Sequence, residues 1–199
     1  MKKLGVLLFL ALAVMMLGGN ALAQNVGDNS VYFVTYYSNA NYTGAPSAVL
    51  RIVNDGDAST SQSEGRPNGN LWASIYIFDD SQEMQECCNC YISADGLLSE
   101  WVNSELLANP LTGKVNHRGV IKVISSTNPD PTNNKLKAGL RGWATHIQAA
   151  SPYAVTETPL ADSNLVSAEQ TALQESCSFA ITLGSGSGTC SCTPEDSDF

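Results

Sequence analysis

Residues Leu71 to Cys90 constrain this chain more than any other stretch. They read Leu-Trp-Ala-Ser-Ile-Tyr-Ile-Phe, then Asp-Asp-Ser, and end with Cys87, Cys88 and Cys90 inside four positions. Aromatic and β-branched residues suit a pleated, packed surface. A strand sends alternate side chains to opposite faces. One face is therefore Leu71, Ala73, Ile75 and Ile77, and the other is Trp72, Ser74, Tyr76 and Phe78. Both are largely apolar, which predicts a central strand covered on two sides.

Six cysteines form two groups of three: Cys87, Cys88 and Cys90, then Cys177, Cys190 and Cys192. An even count in an exported chain argues for disulfides. Neighbouring Cys87 and Cys88 rarely bond each other, because the bridge strains the intervening peptide. The simplest expectation is that at least two bridges join the groups and staple the C-terminal segment to the central strand. A local bridge from Cys177 to Cys190 or Cys192 is the other arrangement the spacing allows. The functional rival is a thiolate metal site using Cys87, Cys88, Cys90, Cys190 and Cys192, since soft thiolates select copper or zinc. Cys87-x-x-Cys90 is the only zinc-type pair, a weak signal, and oxidising export competes with free thiolates. The sequence carries no cofactor fingerprint.

Export itself is read from the N-terminus. Two lysines precede an apolar run from Leu4 to Leu17, and Ala21-x-Ala23 offers a small-residue cleavage pattern before Gln24. The run is shorter than the roughly 20 residues needed to span a bilayer. Residues 1–23 are thus expected to be a signal peptide, leaving no stable membrane insertion and a secreted or periplasmic protein. Residues 24–192 are expected to form one disulfide-stapled β-domain and 193–199 an acidic disordered tail. The full chain carries a net charge of −9, and loss of Lys2 and Lys3 makes it −11. That balance disfavours nucleic acid and anionic membrane surfaces.

The charge is uneven. Residues 111–150 hold six basic groups (Lys114, Arg118, Lys122, Lys135, Lys137, Arg141) against Asp130 alone. The plainer reading is that basic and acidic strands lie side by side. The sharper one is a basic patch built on Lys114, Arg118 and Lys122 for an acidic glycan or peptide.

Val31–Tyr37, Ala48–Val53, Val120–Ser125 and Leu136–Gln148 read as further strands. Asp95-Gly96 is a two-residue hairpin signal and predicts Cys90 facing Trp101 across a turn. Ser104–Asn109 could make one helical turn. The period changes over Asp162–Ser176, where Leu165, Ala168 and Ala172 with Val166, Leu173 and Cys177 trace a helical stripe with Ser163 or Ser167 as caps. Phe179–Leu183 reads as a last short strand, and the glycine-serine run 184–188 as a linker. Short strands with one late helix predict a mainly β fold, an antiparallel β-sandwich of Ig-like or similar type with one short C-terminal helix, ahead of a β-barrel.

No catalytic residues emerge from this pattern. His117 and His146 are the only histidines, and each reads as structural or solvated. The run 184–188 has glycine where a nucleophile elbow needs serine. Asp79 with Asp80, or Glu83 with Glu86, could suggest paired acid catalysts but suit a solvated turn better. Asn54-Asp55-Gly56-Asp57 could offer oxygens to calcium without the full spacing of such a loop. Asn41-Tyr42-Thr43 is a glycosylation sequon. The expected role is therefore a non-enzymatic structural, adhesive or binding one, with an extracellular protein or glycan as partner. A metal-binding protein and a carbohydrate hydrolase are the alternatives.

Overall fold

The computed structural model describes residues 30–56, 69–148 and 152–192. Residues 1–23, expected to be a signal peptide, together with Asp57 and the acidic tail lie outside the described residues. The ordered strands are β1 (Tyr32–Tyr37), β2 (Val49–Asn54), β3 (Leu71–Asp79), β4 (Met84–Ile92), β5 (Leu97–Trp101), β6 (Gly119–Ser126), β7 (Leu140–Gln148), β8 (Ala154–Pro159) and β9 (Ala161–Asp162). One helix, α1 (Ser167–Thr182), follows. The strands form two antiparallel sheets, β4-β3-β6-β1-β9 and β5-β2-β7-β8. This is the mainly β, sandwich-like architecture with a C-terminal helix that the strand pattern predicts.

Strand β3 lies between β4 and β6, and its alternation sorts the two cores. Leu71, Ala73, Ile75 and Ile77 are buried between the sheets with Leu50, Ile52, Leu98 and Ile121. Tyr76 faces the other way and is equally buried, beneath Leu173 and Cys177 of the helix. The Tyr76 hydroxyl donates to the Pro131 carbonyl at 2.6 Å, and Asn134 Nδ2 donates to Ser74 Oγ at 2.7 Å. The proline-rich loop thus satisfies the polar groups of a face that the helix covers with carbon.

The cysteines follow the same two-residue period. Cys88 and Cys90 point into the main core, whereas Cys87 points to the helix face. Cys87 bonds Cys177 on α1, Cys88 bonds Cys190, and Cys90 bonds Cys192. All three bridges join the two groups, and none is local to the C-terminal segment. Gly184, Gly186 and Gly188 take positive φ, which L side chains rarely adopt, and turn the chain from α1 back toward β4. Thr189 then pairs in parallel with Cys87. Residues 188–190 run along the β4 edge, so covalent bonds and backbone pairing cover part of an edge that would otherwise be open.

Several expectations need correction. The Asp95-Gly96 turn exists, with Asp95 at φ 63° and Gly96 N–H donating to Ser93 O. It joins two sheets rather than closing a hairpin: β4 pairs with β3, and β5 pairs with β2. Cys90 therefore faces Ala73, and Trp101 faces Val49 and is half exposed. A turn signal fixes local backbone, while burial of the apolar faces decides the partner. Phe179–Leu183 is not a strand. The helix runs through it because Leu173, Cys177 and Ala180 share its buried face, leaving Phe179, Ile181 and Leu183 exposed. Neither Ser163 nor Ser167 caps that helix, whose N-cap is Val166 without a side-chain bond. The helical turn expected at 104–109 is a turn of π-helix at Val102–Leu106. Strand β7 begins at Leu140 rather than Leu136, which makes only an isolated bridge to Ser126.

Candidate functional site: a polar cleft at one end of the sandwich

Three connecting segments meet at one end: residues 38–42 after β1, the β3–β4 turn at 79–81, and residues 114–118 before β6. Each has a local reason for its shape. Asn39 and Asn41 sit at φ 55° and 57°, a left-handed conformation that asparagine tolerates better than most residues. Asp79 Oδ1 accepts from the backbone N–H groups of Ser81 and Glu83 and so closes its own turn. Gln85 Nε2 donates to Asp79 Oδ2 at 3.0 Å, while Gln85 Oε1 accepts from Thr112 Oγ1 at 2.7 Å. One buried carboxamide therefore ties the turn to the segment leading into residues 114–118.

The first and third segments clamp each other. Ala40 N–H donates to His117 O, and His117 Nδ1 lies 2.7 Å from Ala40 O. A carbonyl only accepts, so Nδ1 carries a hydrogen, and in the tautomer protonated there Nε2 is an acceptor. His117 also stacks on Tyr42 with ring centroids 4.0 Å apart. Asn41 Nδ2 donates to Asn116 O, and Ser38 Oγ and Asn39 Nδ2 both donate to Ile147 O.

These segments enclose a cleft of about 640 Å³ lined by Ser38, Asn39, Tyr42, Asp79 to Ser81 and Lys114 to Arg118. That volume lies within the range of small-molecule sites, about 300–1,000 Å³. Arg118 Nε bonds Asp80 Oδ2 at 2.7 Å across an exposed rim, and Asp79 is occupied as described. Lys114 makes no side-chain hydrogen bond or ion pair with the described residues. Asn116 is the distinctive lining residue. It is 7% exposed, yet its Nδ2 has no acceptor among the described residues. A buried donor left unpaired costs about 1–3 kcal/mol.

The proposed basic patch is only partly assembled. Lys114 and Arg118 line the cleft. Lys122 lies on the helix-covered face, where its Nζ bonds Glu169 Oε1 at 2.6 Å and sits over the Phe78 ring. That contact, followed by the Tyr32 hydroxyl, holds the Glu169 carboxyl below its usual range despite partial burial. His146 is buried in the sheet, stacked on Tyr36 and bonded to Thr158 Oγ1, and burial lowers its pKa. Glu83 is exposed, whereas Glu86 is fully buried. Burial pushes the Glu86 carboxyl up to about 8, offset in part by the Asn109 N–H donated to its Oε1. These two glutamates do not face each other as a catalytic pair, and neither lines the cleft. Asn54 spends its side chain on Gly69 O, Ile92 O and Gly56 N–H, and Asp55 pairs with Arg141. Their oxygens are thus committed to protein, and Asp57 lies outside the described residues. Residues 184–188 serve as a backbone reversal.

Cys88, Cys90 and Cys192 bring their sulfurs within 4.8 Å of one another. Those sulfurs are bonded as disulfides, and no described cysteine is free. Metal ligation by thiolate would require reducing the bridges first. Three disulfides are the chemistry of an oxidising, extracytoplasmic environment, and no helix among the described residues is long and apolar enough to cross a membrane. Compared with known family models, curated proteins and solved structures, the chain matches none of them.

Proposed function

We propose that this is an exported, non-enzymatic binding domain whose end cleft holds a small hydroxyl- or carboxylate-bearing group of an extracellular glycan. In this reading residues 1–23 direct export and are removed after Ala23. The observation that carries it is a polar cleft whose wall holds Asn116, with no acceptor for its Nδ2 among the described residues, and Lys114, whose ammonium has no partner among them either. Both are donors, and a sugar hydroxyl or carboxylate supplies the acceptors. His117 Nε2 adds an acceptor for a hydroxyl hydrogen. A binding role is favoured over hydrolysis because the cleft's two carboxylates are adjacent in sequence and already bonded, Asp79 within its turn and Asp80 to Arg118. Glycoside cleavage instead needs two carboxyl groups facing each other across the scissile bond.

The test is titration of the isotope-labelled protein with galacturonate, followed by backbone amide shifts. Saturable shifts at Asn116, His117 and Arg118 are expected. Asn116→Leu keeps the branched side-chain skeleton while removing the donor that lacks a partner among the described residues, so it should largely keep stability while losing binding. Wild-type binding that survives unchanged in Asn116→Leu, or an absence of shifts at the cleft, would refute the reading.

A further inference from the structure

A second cleft, of about 670 Å³, lies on the other side of Lys114 and Val115, which line both. Its wall includes Asn41, Asn103, Asn109 and Ser187. The partition between the two is shaped by a turn in which Gly113 N–H donates to Pro110 O and Gly113 sits at φ 67°. Val115, on this partition, is 65% exposed. The second cleft also contains a buried polar atom in want of a partner: Asn103 Oδ1 has no donor among the described residues.

From this, and resting on the binding role proposed above, we infer that the two clefts form one groove for an anionic oligosaccharide, with successive sugars on either side of Val115 and a carboxylate at Lys114. Among the described residues, Asn116 Nδ2 in the first cleft has no acceptor and Asn103 Oδ1 in the second has no donor. A hydroxyl both donates and accepts, so a chain of hydroxyl-bearing units satisfies both walls with one kind of group. Beside the apolar Leu107, Ala108 and Pro110, the asparagines and serine of the second cleft supply polar groups for the hydroxyls of a sugar. Lys114, shared by the clefts and uncommitted among the described residues, selects negative charge at the junction.

Calorimetric titration of the oxidised full chain with galacturonate, tetragalacturonate, maltotetraose and tetra-aspartate peptide tests this. Tetragalacturonate should bind about tenfold or more tightly than the monomer, because the second contact becomes intramolecular. Maltotetraose should bind more weakly than tetragalacturonate, and Lys114→Ala should abolish that difference. Asn103→Leu should weaken the tetramer and leave the monomer unchanged. Equal affinity for monomer and tetramer would overturn the joined groove while leaving the single-cleft reading intact. Tighter binding of the peptide would overturn the sugar assignment. No binding by any of the four would refute both this inference and the proposed function.

Discussion

The three disulfides close interleaved loops that overlap along most of their length, and that overlap predicts that they do not contribute equally. A lone bridge across 90 residues, the separation of Cys87 and Cys177, would remove about 4.6 kcal/mol of chain entropy from the unfolded state. With Cys88–Cys190 in place, that loop is already short-circuited. The ring closed by Cys87–Cys177 then contains one step along β4 and thirteen along the C-terminal segment, which lowers its contribution to about 3 kcal/mol. Beside Cys88–Cys190, the Cys90–Cys192 bridge closes a ring of two steps on each side, a contribution of about 2 kcal/mol. Paired alanine variants, Cys87→Ala with Cys177→Ala and Cys90→Ala with Cys192→Ala, should therefore lose unequal stability in urea unfolding of the oxidised protein. Removing all three bridges should cost about 10 kcal/mol, enough to unfold a typical domain. The reasoning fails if each pair costs the full ~4–5 kcal/mol expected of independent long loops, or if the Cys90–Cys192 pair costs more than the Cys87–Cys177 pair.

Two further perturbations probe the frame. Glu86 has a folded pKa of about 8 against an ordinary 4.5, so between those values the native state holds a proton the unfolded state has released. Stability should fall as pH rises through that window, by up to about 1.4 kcal/mol per pH unit. Glu86→Gln keeps an acceptor for Asn109 N–H and should flatten the profile in unfolding measured from pH 5 to 8; an unchanged slope would clear Glu86 of responsibility. Gly119 begins β6 where a Cβ would come 1.9 Å from Phe78 O and 2.7 Å from the Tyr37 hydroxyl. Gly119→Ala should thus cost about 1–3 kcal/mol by overpacking, and a thermal midpoint equal to the wild type would show that the strands can part there without penalty.

Most of the frame was legible in the residues because two-residue periodicity carries direct information about burial. The two-faced apolar run of β3 correctly implied cover on both sides, and the helix with its neighbouring proline-rich loop supplies one of them. The same period, applied to Cys87, Cys88 and Cys90, would also have divided the bridges between the two faces. Strand β8 was missed because all six of its residues are exposed, so it has no apolar alternation to read and is held by backbone pairing to β7. Asp95-Gly96 misled for a different reason. The dipeptide specifies a turn, but a turn between sheets and a turn within one look alike from four residues.

The cleft was less legible, since its lining comes from three segments that are each unremarkable turns in sequence. Lys114 and Arg118 were visible as charge, and Asn41 as a sequon, but nothing local marks Asn116 as a buried, unpaired donor. That status arises only when residues 38–42 pack on 114–118. The stapled edge then bears on the site through a continuous path. Disulfides at Cys87, Cys88 and Cys90 fasten β4, Gln85 on that strand bonds both Asp79 and Thr112, and Leu111 N–H donates to Gln85 O. The cleft walls are thereby held in place before any ligand arrives, and a polar ligand that would gain little from apolar burial depends most on such preorganisation. In the binding role proposed above, covalent cross-linking of β4 would serve association as well as stability, because it reduces the ordering entropy that binding would otherwise cost.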